Sequence, residues 1–231
     1  LWMSNPAWHS TVWQTYDYDL DVNGSYYGAR KGCEPLHVQA SLADWSVTAV
    51  NHTTAAVSGA TVTAWLYDLT GRQLGSTSQQ SLDIAASAMS PAFTVAFDDS
   101  LPAVHLLRLE LRDSAGELLS ENTYWRYRAD TDMQALSQLA STQVALTARR
   151  EGNGMTATVR NTGIVVAAMV RLSLRDAQTG DRILPAQYSE NYFWLLPGES
   201  REVQVSWHDG QPHSGSPALL AEGYNVPATN A

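Results

Sequence analysis

From Leu36 onward, apolar and polar residues alternate in short runs. Val47–Val50 (VTAV), Ala60–Tyr67 (ATVTAWLY), Ala92–Phe97 (AFTVAF) and Leu106–Leu111 (LLRLEL) are rich in β-branched residues and bounded by turn formers, the pattern of half-buried antiparallel strands. Asp68-Leu-Thr-Gly71 and Asp113-Ser-Ala-Gly116 read as the turns between them. Further on, Ser200–Trp207 and Ala218–Glu222 read as the last strands, with Leu196-Pro-Gly-Glu199 as a turn and Asp209–Pro217 as a loop. Arg128–Leu139 is polar with a short apolar stretch and predicts a linker with one helical turn.

A weak internal repeat organises these strands. VTAVNHTTAAVSGATVTAWLYDLTGRQL from Val47 and TATVRNTGIVVAAMVRLSLRDAQTGDRIL from Thr156 share a strand, an Asn-(His)-Thr turn, a longer strand and an Asp…Gly turn. Asn51 aligns with Asn161 and Gly71 with Gly180, shifts of 110 and 109 residues. An immunoglobulin-like sandwich takes about 100 residues, so the shift is one domain. The expected fold is all-β: two tandem immunoglobulin-like β-sandwiches, each with its own core.

The first stretch differs. Seven of the 21 aromatics (Trp2, Trp8, Trp13, Tyr16, Tyr18, Tyr26 and Tyr27) fall within residues 1–27. Thr11–Gln14 reads as a short strand, and Asp17–Ser25 as an acidic turn containing Asn23-Gly24. Tyr26–Glu34 reads as a short helix stopped by Pro35. A strand, loop and helix is half of a βαβ unit, which an all-β chain does not need.

Composition narrows the chemistry. With 44% hydrophobic and 16% charged residues the chain can fill real cores. A net charge of −9 without basic patches argues against nucleic acid. No apolar run reaches the ~18 residues of a membrane span, and Leu1 opens neither with an initiator Met nor with a signal peptide, as expected for the middle of a longer protein. Cys33 stands alone, which excludes an internal disulfide and a multi-Cys zinc site and reads as a small buried hydrophobe. Asp19-Leu-Asp21-Val-Asn23-Gly24 matches the first six places of a calcium loop, but place twelve is Arg30, a cation where a bidentate acid is needed. The six histidines make no metal-binding spacing, and there is no nucleophile elbow or phosphate loop. No metal and no cofactor is expected. Asn23-Gly-Ser25 and Asn51-His-Thr53 are glycosylation sequons. The feature that looks chemical is the aromatic cluster: Trp13-Gln14 beside Tyr16-Asp17 offers apolar faces for a sugar ring together with polar groups for its hydroxyls.

The segment WQTYDYDLDVNGSYYGARKGCEPLHVQ, Trp13–Gln39, resembles the stretch W-Q-L-Y/F-D-Y-Y-L…G-S/A-Y-F/Y-G-x-K-K-A-x-E-P-L-H-V-Q of exo-β-D-glucosaminidases and related β-mannosidases of glycoside hydrolase family 2. The likeness continues at Asn122–Trp125, Arg171–Asp176, Ile183–Pro185, Ser189–Phe193, Leu195–Ser200 and Glu222–Asn225, so it covers nearly the whole chain. Thr15 departs from the family's Leu and Gly32 from its Ala; the latter weakens a helix by ~1 kcal/mol. The resemblance implies residues 1–34 as the last strand and helix of a (β/α)8 catalytic barrel, 35–128 as one sandwich and 129–231 as a second. It implies Trp13 as a sugar platform, with Gln14, Tyr16 and Asp17 supporting the pocket. The two catalytic carboxylates of such retaining enzymes lie on earlier barrel strands, so no catalytic residue is expected in this chain and none is carried over. The implied function is the C-terminal accessory region of a retaining exo-glycosidase acting on β-glucosaminides or β-mannosides, inactive alone, in a secreted or periplasmic parent. Its partners would be the parent's barrel and, through it, a β-linked oligosaccharide, with no nucleic acid and no membrane. The alternative is a non-catalytic module, either carbohydrate-binding, which predicts an exposed aromatic strip on Trp45, Trp65, Trp194 or Trp207, or purely structural, which predicts no sugar affinity.

Overall fold

Side-chain alternation closes two separate sandwiches. The computed structural model describes residues 14–152, 154–208 and 215–231 and divides into one unit of residues 30–139 and another of residues 140–231 together with the leading segment up to Ala29. In the 30–139 unit the strands are β1 (Leu36–Ala40), β2 (Ser46–Asn51), β3 (Val57–Tyr67), β4 (Gln73–Ile84), β5 (Ala88–Thr94), β6 (Val104–Arg112) and β7 (Leu118–Tyr127). They form a β1-β2-β5 sheet and a β4-β3-β6-β7 sheet, antiparallel throughout. Val62 and Ala64 of β3 and Leu107, Leu109 and Leu111 of β6 sit at every second position and face Val38, Val47 and Ala49 of the other sheet; all are buried in one cluster. The sequence pattern does not show β4 because the strand is polar: of its twelve residues only Leu74 and Ile84 are buried. It lies at a sheet edge, where such a composition blocks further pairing. The linker folds as a 3-10 helix over Asp130–Gln138.

The other unit repeats the plan. Its strands are β8 (Val144–Glu151), β9 (Gly154–Asn161), β10 (Ala167–Asp176), β11 (Ala186–Tyr188), β12 (Phe193–Leu195), β13 (Ser200–Trp207), β14 (Pro217–Glu222) and β15 (Thr229–Asn230). The sheets are β12-β10-β14-β15 and β11-β13-β9-β8. Val203, Val205 and Trp207 of β13 alternate inward with Ala157 and Val159 of β9, against Leu172, Leu174, Leu195, Leu219 and Ala221. Of the loop expected at Asp209–Pro217, residues 209–214 lie outside the described residues.

The repeat holds at the level of atoms. Asn51, fully buried, accepts from the Thr53 amide (2.9 Å) and hydroxyl (2.7 Å) and donates through Nδ2 to the carbonyls of Ala55 (2.8 Å) and Ala85 (3.1 Å). Asn161, also fully buried, accepts from the Gly163 amide (3.0 Å) and the Thr142 hydroxyl (3.1 Å) and donates to the carbonyls of Val165 (2.8 Å) and Leu195 (3.1 Å). The backbone partners lie at the same sequence offsets in both sandwiches. Each asparagine joins two loops that would otherwise bury unpaired backbone groups. The sequon at Asn51 therefore cannot carry a glycan in this fold, because its amide nitrogen is fully engaged and inaccessible.

His105 on β6 is fully buried. Its Nδ1 pairs with the Pro102 carbonyl at 2.8 Å, while Nε2 has no partner among the described residues. The ring packs 5.5 Å from Phe97, whose face carries the Arg126 guanidinium at 3.9 Å. Burial, and then the charges of Arg126 and Arg128, hold the imidazole below its ordinary pKa despite the bond to Pro102.

Two outcomes are expected. Asn51→Ala removes the bonds to the Ala85 carbonyl and the Thr53 amide, while the Ala55 carbonyl keeps the Thr53 hydroxyl at 3.0 Å, and lowers the stability of its sandwich by about 2 kcal/mol in urea unfolding. His105 takes up a proton less readily in the fold than in the unfolded chain, so stability falls as pH drops below about 6.5, with a slope of at most ~1.4 kcal/mol per pH unit. His105→Gln removes that component, read as the difference between the two proteins' stability–pH curves.

Candidate functional site

The aromatic and acidic segment folds as a hairpin leading into a helix. Asp17 builds the turn: its Oδ1 accepts from the amides of Asp19 and Asp21, both at 2.9 Å. The Asp17 amide donates to the Asp21 carbonyl, and Leu20 donates back to the Asp17 carbonyl. Asp68 and Asp113 make the same pattern with the amides two and four residues on. In those turns the fourth residue is Gly71 (φ 85°) or Gly116 (φ 88°); here it is Leu20, held at φ 67°. A left-handed leucine costs about 1–2 kcal/mol. The returning strand pairs Val22 with Tyr16, and the Asn23 amide donates to the Thr15 carbonyl.

Asn23 then caps the helix α1, Gly24–Gly32. Its Oδ1 accepts from the Ser25 amide (3.1 Å) and hydroxyl (2.6 Å), the N-cap arrangement, and its Nδ2 donates to the Gln14 carbonyl at 2.7 Å. The sequence pattern points to a helix over Tyr26–Glu34; the cap starts it two residues earlier. Past Gly32 the amides of Cys33 and Glu34 bond three residues back, to Arg30 and Lys31, because the residue before Pro35 disfavours helix. Tyr27 buries into the core of the 140–231 sandwich, with its ring 5.8 Å from Tyr192. Tyr192 and Met169, both at positive φ, would lie 3.6 and 3.9 Å from a Cβ on Gly24, so the sandwich surface is shaped around the start of the helix.

The three aspartates surround one cation. Arg182 reaches Asp21 (Nη1–Oδ2, 2.8 Å), Asp19 (Nη2–Oδ2, 2.8 Å) and Asp17 (Nη1–Oδ2, 3.4 Å). Arg171 of β10 shares Asp21 Oδ2 at 3.1 Å and approaches Glu222 at 3.6 Å. Burial alone would lower the Arg182 pKa; the hydrogen bond and charge of Asp21, with those of Asp17, outweigh it and raise the pKa above the ordinary value. Arg182 is itself fixed. It bridges Arg175 across a hairpin whose turn is organised by buried Asp176, which accepts from the amides of Gln178, Thr179 and Gly215. The acidic loop thus holds a guanidinium where a calcium loop would hold its ion, and no group of three or more metal-ligating side chains suited to a metal occurs among the described residues.

Trp13 lies outside the described residues, as do residues 11–13 of the expected strand; Gln14 is not in a strand. Gln14 is 4% exposed, and its Oε1 has no partner among the described residues. Tyr16 is half-buried and paired to Val22. Asp17 is engaged through both oxygens, Oδ1 with the turn amides and Oδ2 with Arg182. Arg182 and Arg171 escaped the sequence reading; the spacing Asp17-x-Asp19-x-Asp21 was their signal, an unneutralised acid triplet asking for a cation. Cys33, expected buried, is exposed: it follows the helix end at a loop instead of sitting on an apolar face. Of the four tryptophans of the binding-module alternative, none is exposed, and Trp207 is in the core.

Comparison with known proteins places this geometry. Residues 122–226 match the family described as the exo-beta-D-glucosaminidase Ig-fold domain, and residues 43–127 the mannosidase Ig/CBM-like domain. The chain is 36% identical to an exo-beta-D-glucosaminidase of Streptomyces avermitilis, over 97% of this chain and 28% of that protein. It is 32% identical to one of Amycolatopsis orientalis, over 97% and 24%. The crystal structure of the Amycolatopsis orientalis exo-chitosanase superposes with a TM-score of 0.86 at 30% identity, covering all of this chain and 30% of that one. Fold and matches together define the class, a β-sandwich portion of a larger glycoside hydrolase polypeptide. Within that class the chain belongs to glycoside hydrolase family 2, with the exo-β-D-glucosaminidases, and spans about a quarter of the length of the relatives it matches.

Leu20→Gly relieves the left-handed strain at a site where the side chain is 45% exposed. After the entropic cost of glycine, it raises stability by about 0.5–1 kcal/mol, read as an increase in the urea midpoint at constant m.

Proposed function

We propose that this chain is the C-terminal accessory region of a retaining, exo-acting glycosidase that removes sugars from the non-reducing ends of β-glucosaminides such as chitosan oligosaccharides, with β-mannosides the next substrate class. The observation that carries the reading is the 36% identity, over 97% of the chain, to a protein named as an exo-beta-D-glucosaminidase. On this reading residues 1–34 complete the parent's (β/α)8 barrel, and the sandwiches of residues 35–128 and 129–231 brace it. A barrel presents substrate-contacting residues at the C-terminal ends of its strands. Trp13 is then the sugar platform, with Gln14, Tyr16 and Asp17 supporting the pocket. The buried Gln14 Oε1, which has no partner among the described residues, fits such a place, since a buried acceptor calls for a donor. Hydrolysis with retention needs two carboxylates ~5–5.5 Å apart, one acid/base and one nucleophile. Asp17, Asp19 and Asp21 are spent on Arg182, so both catalytic groups come from the rest of the parent. No helix among the described residues is long and apolar enough to cross a membrane. On this reading the parent acts outside the cytoplasm, secreted or periplasmic.

The test is hydrolysis of p-nitrophenyl β-D-glucosaminide. The full-length protein turns it over with retained anomeric configuration; the 231-residue chain does not. Trp13→Ala in the full-length protein weakens substrate use at least about tenfold in kcat/KM, the size expected for loss of a stacking platform. An inactive full-length protein, or turnover by the purified chain, overturns the reading.

A further inference from the structure

The end of the 30–139 sandwich where β6 begins and β7 ends carries a cation that no described residue neutralises. The Arg126 guanidinium lies over the face of Phe97, 3.9 Å from the ring centre, and 5.9 Å from the ring centre of Trp45. Aromatic faces attract a cation, but they take none of the N–H donors at its rim. None of those donors has a hydrogen-bond or ion-pair partner among the described residues. Arg128 follows two residues on, so its side chain leaves the chain on the same side. It donates through Nη2 to the carbonyls of Asp99 and Leu101, which fixes it and leaves its remaining donors unpaired among the described residues. Asp98 feels the charge of Arg128, but its Oδ1 accepts from the Ser100 amide at 2.7 Å. Burial, and then the like charge of Arg128, hold the Arg126 pKa below its ordinary value, with no carboxylate acting in the other direction.

We propose that Arg126 and Arg128 form a binding site for an oxyanion. Guanidinium rims with unspent donors match the paired oxygens of phosphate, sulfate or carboxylate through charge-assisted bonds. The surroundings hold the site in shape. Trp45 sits at a left-handed φ of 58°, a strained place for a bulky residue. It is kept there by the bond of its amide to the Ser41 carbonyl (2.8 Å) and of the Val95 amide to its own carbonyl (3.1 Å). From there its indole meets Phe97 and Tyr124 edge-on, at 5.2 and 6.3 Å, and Phe97 carries Arg126. His105, opposite Arg126 across the β6–β7 pairing, adds an independent sign. The Pro102 carbonyl can only accept, so Nδ1 carries the hydrogen. Nε2 of the neutral ring is then a buried acceptor with no partner among the described residues. Both arginines act on this imidazole, so an anion beside them offsets their charge and lets Nε2 take a proton. Arg126 is half-buried and Arg128 exposed, which leaves the pair open to solvent. A free ion and a carboxylate from the rest of the parent polypeptide share this chemistry. The site needs no assumption about the parent's substrate.

The test is a titration of the 231-residue chain with inorganic phosphate at constant ionic strength, followed by NMR of the arginine Nε–Hε groups and the His105 ring. The Arg126 and Arg128 signals shift and saturate with a Kd on the order of 1 mM, and His105 titrates at a higher pH with phosphate bound than without. Arg126→Gln and Arg128→Gln each weaken binding at least about tenfold, and Arg126→Gln abolishes the response of His105. Arg72→Gln, on an exposed turn elsewhere, leaves the titration unchanged. If Arg126→Gln does not fold, Arg126→Lys decides in its place: it keeps the charge but loses the planar fork, and binding weakens several-fold. The full-length protein separates the two sources. Uptake of phosphate there as in the chain marks a site for a free ion. No uptake, with a lower Tm in Arg126→Gln, marks a carboxylate supplied by the parent. A full-length protein that shows neither overturns the proposal. So does a chain whose arginine signals do not saturate, or that responds equally to chloride at the same ionic strength, or whose folded variants bind as well as the parent sequence.

Discussion

One guanidinium decides how the leading segment of this chain is held. Residues 14–29 contain too few apolar groups to form a core, and their most regular feature is an acid at every second position of a turn. Such a turn is stable only if its charge is answered. The answer comes from Arg182, about 160 residues later, and from Arg171 beside it. Exposed ion pairs are individually worth at most about 1 kcal/mol, but here three share one cation that is itself fixed by a second hairpin. Burial of Tyr27 in the same sandwich supplies the apolar part of the attachment. Charge gives the register and the ring gives the adhesion.

Much of this fold was legible in the sequence because β-sandwich cores are built from alternation. Ser200–Trp207 is a strand with the bounds its pattern gives, and Leu106–Leu111 lies inside β6. The Asn51/Asn161 repeat is legible too, and the structure explains it: both asparagines tie the same two loops in their own sandwich. What escaped the reading escaped for physical reasons. The edge strand β4 is polar through its middle, with its buried residues, Leu74 and Ile84, near its two ends. The strands β11 and β12 have three residues each, too few for a period. The Asn23-Gly24 pair, a turn signal in isolation, caps a helix because the acidic turn just before it had already reversed the chain.

The candidate site was legible only in part. Asp17 was picked out for its chemistry beside aromatics, and the structure assigns both its oxygens to architecture. The likeness to a calcium loop was informative in an unintended way. The acid spacing is real, but the cation is a side chain. Arg182 could not be paired with that loop from sequence, since nothing local marks it, and the contact depends on how the hairpin after β10 returns. The same contrast separates the two kinds of resemblance in this chain. The sandwich matches rest on packing that the described residues contain, whereas the enzymatic reading depends on residues of a longer polypeptide.

The central claim is that residues 14–29 are a structural part of the 140–231 sandwich and share its stability. Native-state amide exchange of the 231-residue chain across a urea series measures this directly. The account predicts that the protected amides of Asp21 and Asn23 converge on the same opening free energy and urea dependence as those of β10 and β13. Exchange of these two amides by a separate, urea-insensitive opening, or in step with β3 and β6 of the other sandwich, would contradict it.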